Sequence, residues 1–220
     1  MSRTFCLLVI GIFLMQIPQA LNAQRKLENF MEFKIGELDP EDTDSGNIFG
    51  IAIGTGIDDR LYGGFEMNYF RTNYTQSTEV VDSVSGGSVV STERVQLDYT
   101  TTYIALFGSL YYELRLGTNS PFYYRASASV GWEFIWNKEQ NFQAGVSRTR
   151  NFNAPGFKLS TGIGIRISST GILFGDILYN GVTAKNSTGT TEEGLPVFQK
   201  INLSGLGFWV GINLYRFTFF

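Results

Sequence analysis

From Phe122 to Trp136, every second residue of the stretch "PFYYRASASVGWEFIWN" belongs to one set: Phe122, Tyr124, Ala126, Ala128, Val130, Trp132, Phe134 and Trp136. Between them stand Tyr123, Arg125, Ser127, Ser129, Gly131, Glu133, Ile135 and Asn137. Strict alternation is the mark of a β-strand, whose successive side chains point to opposite faces, and this one far exceeds the usual ~5–6 residues. One face is apolar with aromatic ends; the other is small and polar, with one cation and one anion. Any fold built from such strands must decide which face meets the solvent, and whether that solvent is water or lipid.

Seven further alternating segments accompany this one, near 30–39, 47–57, 61–75, 93–115, 155–169, 171–185 and 199–217. The connections alternate in length. Short ones are "DDR" (58–60), "LGTNS" (116–120) and "SSTG" (168–171); long ones are 40–46, the "STEVVDSVSGGSVVSTE" region, 138–154 and 186–198. In an up-and-down arrangement every short turn falls at the end that holds both termini. Short turns at one end and long loops at the other are the pattern of outer-membrane barrels. The composition agrees: charged residues are 17%, aromatics 15%, and Gly stands at 25 against 5 Pro, a mixture poor in helix formers. A net charge of -3 argues against a nucleic-acid partner.

The first residues, "MSRTFCLLVIGIFLMQIPQALNAQ", carry an early arginine, an apolar core from Phe5 to Met15 and a polar stretch ending in Ala23. This predicts a secretory signal peptide over 1–23 and a barrel over 24–220; the apolar core is short for a spanning helix. The lone cysteine, Cys6, would leave with that peptide, so disulfides and thiol chemistry are not expected.

Three features turn the apolar face outward, to lipid. Gly50, Gly54, Gly56, Gly162, Gly164, Gly207 and Gly211 share the polar face. They weaken a strand, and small residues are needed where side chains crowd a narrow lumen. Aromatics collect towards strand ends: Phe122 and Tyr124 at the short-turn end, Trp132 and Trp136 towards the loops, as in paired interfacial girdles. Charges on the apolar face, Glu37, Arg71 and Arg216, lie only near strand ends. The expected fold is an all-β transmembrane antiparallel up-and-down eight-stranded β-barrel. A soluble barrel of lipocalin type, with the faces exchanged, is the competing architecture.

The signal peptide, the eight strands and the ending "GINLYRFTFF" together resemble the small OmpA/OmpX-like outer-membrane barrels of Gram-negative bacteria. The resemblance implies a location in the outer membrane, contact with its lipid and lipopolysaccharide, and a monomer. It also implies that a terminal aromatic, with apolar residues at alternate positions before it, is read by the barrel-assembly machinery. Val210, Ile212, Leu214 and Phe220 match that signal, Arg216 and Thr218 depart from it, and Phe217 is the alternative functional end.

The inward set holds Glu32, Lys34, Glu66, Glu113, Arg125, Glu133, Lys158, Arg166 and Asp176, four cations and five anions. Desolvated charges must pair, which predicts a closed polar plug. One register of the hairpin joining 121–137 to 155–169 sets Glu133 opposite Lys158 and Arg125 opposite Arg166. Glu113 and Asp176 would then supply the acids for the two arginines. An acid–base or ion-selective site at Arg125, Glu133 and Arg166 is the sharper reading of the same residues.

Catalysis has little else to draw on. The chain has no histidine, the usual base of nucleophilic outer-membrane enzymes and, with cysteine, the usual zinc ligand. Asp39, Glu41, Asp42 and Asp44 lack the spacing of a calcium loop. "GIAIGTGIDD" has no helix after it to make a dinucleotide loop. No enzyme activity, cofactor or metal is expected.

The segments 61–84 and 88–115 each exceed what crosses a membrane, and their tip at 76–92 is rich in valine but also in Ser, Thr and Gly. It is either a protruding ribbon able to take up a partner strand or a flexible loop. Two functions remain open. One is a non-enzymatic envelope or surface-interaction protein acting through its loops. The other is a transport protein, a narrow porin-like pore or a conduit for small hydrophobic molecules, with Tyr103, Phe107, Tyr111, Phe174 and Trp209 lining its interior.

Overall fold

A computed structural model describes residues 28–85, 88–142, 145–190 and 196–216, with side chains described except at 76–96, 146, 187–190 and 196–198. The segment 1–23 and residues Phe217 and Phe220 lie outside the described residues.

The strands are β1 (Asn29–Pro40), β2 (Gly46–Gly56), β3 (Leu61–Ser85), β4 (Ser88–Arg115), β5 (Phe122–Asn141), β6 (Val146–Arg166), β7 (Gly171–Gly181), β8 (Thr183–Thr190), β9 (Pro196–Asn202) and β10 (Gly205–Tyr215). Eight of them close a barrel in the order β1-β10-β7-β6-β5-β4-β3-β2, every pair antiparallel, while β8 and β9 form a separate two-stranded sheet. β1 closes on β10 from Phe30↔Tyr215 to Pro40↔Gly205, and the Arg216 amide donates to the Asn29 carbonyl at 2.9 Å. Closure leaves no free edge in the wall.

The alternating face points out. Phe65, Val130, Ile177, Leu206 and Phe208 are all more than half exposed, while Phe30, Tyr103, Trp209 and the charged set are buried. A soluble barrel would bury the first group. A continuous apolar belt over a polar interior is the inverse of a water-soluble protein, and such a wall is stable only in lipid.

At the short turns and at the 40–46 loop the strands end as expected; at the other three long connections strand runs further than expected. Within 138–154, Lys138–Asn141 and Val146–Ala154 are strand, with β5 and β6 paired to Asn141↔Val146. β3 and β4 stay paired to Ser85↔Ser88, with register shifts at Gln76/Ser77 and Val81/Ser83. The β3–β6 sheet therefore continues past the barrel rim, because Ser, Thr and Asn on paired strands satisfy the backbone as well as apolar residues do. The alternating segment 199–217 is broken between Asn202 and Gly205. The chain leaves the wall after Gly181, runs out and back as β8 and β9, and rejoins it at Gly205. The excursion is tied down where Leu203 N donates to Val182 O at 3.1 Å, Asp42 N to Asn202 O at 3.1 Å, and Asn186 Nδ2 to Asn151 O at 2.9 Å.

Candidate functional site

The interior is filled in three layers. At the turn end, Phe30, Ala52, Tyr111, Tyr123, Ile172 and Tyr215 pack together, with Phe30 edge-on to Tyr111 at 5.2 Å and to Tyr62 at 5.8 Å. Towards the loops lies an apolar layer that includes Leu38, Ile48, Phe70, Tyr103, Ile135 and Leu203, with Phe70 stacked on Tyr103 at 5.0 Å. Between them sit the charges.

Glu66 is one centre of the middle layer. Its carboxylate takes Lys34 at 3.1 Å, Lys158, the Tyr111 hydroxyl at 2.9 Å and the Ser109 hydroxyl at 3.3 Å. Arg125 is the other. It binds Glu32, reaches Glu113 at 3.2 Å and Asp176 at 3.9 Å, and lies 3.6 Å over the Phe174 ring. Lys34 joins the two centres through Glu32 at 2.8 Å. Trp209 is held between two ammonium groups, Lys34 at 4.1 Å and Lys158 at 4.3 Å from its ring centroid. Pairing, hydrogen bonding and ring faces offset the desolvation that would otherwise expel these charges.

Strands deliver these groups by parity, and glycine makes room for them. A Cβ at Gly50 would stand 2.8 Å from both Cγ and Cε of Lys34. One at Gly164 would stand 3.1 Å from Cδ of Arg125 and 2.7 Å from Ile172.

Seven of the nine expected interior charges meet here: Glu32, Lys34, Glu66, Glu113, Arg125, Lys158 and Asp176. Two do not. Arg166 is exposed at the turn-end mouth, its guanidinium 5.0 Å over the Tyr123 ring, so it faces no Arg125. Glu133 is fully buried but meets the Asn180 amide at 3.5 Å, and no cation pairs with it among the described residues. The expected hairpin register is off by four residues: Glu133 opposes Ala154, Lys158 opposes Ser129 and Arg125 opposes Gly162. Strand that continues to Asn141↔Val146 sets the offset, and the barrel's shear then carries Lys158 to Glu66. Tyr111, Ser109, Asn213 and Tyr215, which complete the carboxylate shells, carry no charge to mark them; their only signal is parity, shared with Glu113 on β4 for Ser109 and Tyr111 and with Trp209 on β10 for Asn213 and Tyr215.

Outside, Phe122, Tyr124, Trp132 and Trp136 all project from β5 into the belt. The cross-strand pairs Phe49–Tyr69 at 6.5 Å and Phe157–Tyr179 at 6.0 Å extend the loop-side aromatics. Val210 is exposed on the same face, and Ile212 and Leu214 are half-buried.

An eight-stranded closed wall, an apolar belt and a filled charged interior define a single architecture. The chain has the small outer-membrane barrel fold. Similar solved structures are neisserial surface protein A (13% identity, TM-score 0.50, covering 86% of this chain and 97% of that one) and OprG from Pseudomonas aeruginosa (13%, 0.51, 88% and 98%). Another is Ail of Yersinia pestis, solved with the heparin analogue sucrose octasulfate (10%, 0.50, 88% and 100%). No family model matches the chain, and no curated protein matches its sequence. At 10–13% identity this likeness is one of fold alone.

Proposed function

We propose that the protein is a non-enzymatic integral outer-membrane protein that acts at its loop-side surface, in envelope structure or surface interaction. The observation that carries this reading is the three-layer interior. A cleft at the turn end and a cup at the loop end are separated by packed aromatics, a paired charge layer and an apolar layer. Transport through the barrel needs a continuous path. Tyr103, Phe107, Tyr111, Phe174 and Trp209 are all buried in packing or cation–π contacts instead of lining one.

In this reading residues 1–23 direct export, and Val210, Ile212, Leu214, Phe217 and Phe220 present the signal to the assembly machinery. The belt meets lipid and lipopolysaccharide as a monomer. β3 pairs with β2 only as far as Arg71, so the outer edge of its upper part, within 76–92, is where an extracellular strand would add.

Two measurements test the reading. A cysteine placed at Lys138 should react with an impermeant maleimide on intact cells, and purified protein in planar bilayers should show no large steady conductance. An unreactive label would refute the surface assignment, and steady conductance would restore transport.

A further inference from the structure

Above the belt, the inward face of the β3–β6 sheet no longer looks into a filled lumen. It forms one wall of a cup of about 720 Å³, with the β1–β2 loop and β9 opposite and with Phe152 and Ile201, members of the upper apolar layer, among its lining. That volume lies within the ~300–1,000 Å³ of small-molecule sites.

Much of the charge around this cup is already committed. Glu139 holds Arg148 and, at 2.9 Å, Arg150. Asp42 accepts the Asn202 backbone amide at 2.7 Å, and Glu41 accepts the Asn202 side-chain amide. Beside the charges of Asp44 and Lys200, the lining offers two kinds of group. Tyr74 and Tyr99, register partners on β3 and β4, contribute aromatic rings to the lining. Asn137, Gln199 and Thr43 contribute neutral polar groups. Gln199 Oε1, Thr43 Oγ1 and Arg150 Nε are buried without a hydrogen-bond partner, which is costly unless something else supplies one.

Asn137 already donates its amide to Thr101 at 2.9 Å, which leaves its Oδ1 to accept; aromatic rings beside such acceptors and the unpartnered Gln199, Thr43 and Arg150 atoms suit a ligand with apolar C–H faces and many hydroxyls. A sulfated polyanion fits poorly, because Glu41, Asp42 and Asp44 outnumber the lining cations Lys200 and Arg150, and Arg150 is already paired with Glu139. We infer that the cup binds a neutral oligosaccharide, with Tyr74 and Tyr99 against the sugar faces and Asn137, Gln199, Thr43 and Arg150 taking its hydroxyls. This inference rests on the reading that the loop-side end faces the outside of the cell.

The test is calorimetric titration of the full-length protein in detergent with maltotriose, cellotriose and chitotriose, and with sucrose octasulfate as the polyanion. At least one neutral trisaccharide should bind. Tyr74→Ala and Asn137→Ala should each weaken it about tenfold while the variants keep heat-modifiable gel migration. No binding of any neutral trisaccharide, binding of sucrose octasulfate alone, or affinity unmoved by Tyr74→Ala would overturn the inference. Because the titration uses purified protein, it is independent of the cell-labelling result, and the two readings fail separately.

Discussion

Arg125 on β5 reaches across the lumen to Glu32 on β1, joining strands from opposite sides of the wall. The same guanidinium also reaches Glu113 and Asp176, so one cation is shared by three carboxylates drawn from β1, β4 and β7.

Arg125→Met should therefore be among the most damaging single substitutions in the barrel. Removing one partner of a buried ion pair costs about 3–5 kcal/mol, because the remaining charges stay buried and uncompensated. Urea unfolding in lipid vesicles, followed by tryptophan fluorescence, measures it. Adding Glu32→Leu to Arg125→Met should recover part of the loss; a double variant no better than the single would show that Glu32 is not the dominant partner.

The belt makes a depth-dependent prediction. Val130 sits near the middle of the β5 belt segment and is 67% exposed, whereas Phe122 lies at its turn end. Val130→Arg should destabilise the folded barrel by about 2–4 kcal/mol and Phe122→Arg by about 1 kcal/mol or less, measured by the same vesicle unfolding. Equal costs at the two positions would mean that the membrane does not lie across this stretch.

The β5–β6 register can be read chemically. Lys138 and Thr149 are register partners beyond the rim. The pair Lys138→Cys/Thr149→Cys should oxidise to a disulfide, since cross-strand partners approach within disulfide range. The pair Lys138→Cys/Asn153→Cys, which a four-residue shift would join, should stay reduced. Non-reducing mass spectrometry of a tryptic digest separates the outcomes.

Above the rim, the hydrogen bond from Arg148 holds the Glu139 carboxyl below the usual carboxylate range, with Tyr99 and Arg150 also contributing. A carboxyl whose folded pKa is depressed contributes stability above its unfolded pKa, near ~4.3, and loses it as pH falls through the folded value. Amide protection factors across 138–141 and 145–149, which correct for the intrinsic pH dependence of exchange, should therefore be high at neutral pH and fall below pH ~4. Glu139→Gln should exchange faster at neutral pH and lose that acid dependence. An unchanged acid response in Glu139→Gln would assign the effect to another group.

How far the chain could be read in advance depended on whether a property is local. Side-chain parity is local, because it repeats every two residues. The outward set from Phe122 to Trp136, the inward set from Glu32 to Asp176, the short turns and the even strand count all follow from it. Parity likewise sets Phe174, Asp176 and Leu178 on one face of β7, where all three are buried.

Register is not local. Sliding β5 against β6 by four residues leaves every side chain on its own face, so alternation cannot distinguish Glu133 opposite Lys158 from Glu133 opposite Ala154. Only the closed wall, with its shear and the long paired arms above the rim, settles which charges meet. It gathers Lys158, Lys34 and Glu66 around Trp209, leaves Glu133 with Asn180 and sends Arg166 to the mouth. The loop-side cup likewise exists only in three dimensions, because its walls come from residues 41–44, 72 and 74, 99 and 101, 137, 150 and 152, and 199–201, which only barrel closure brings to one end.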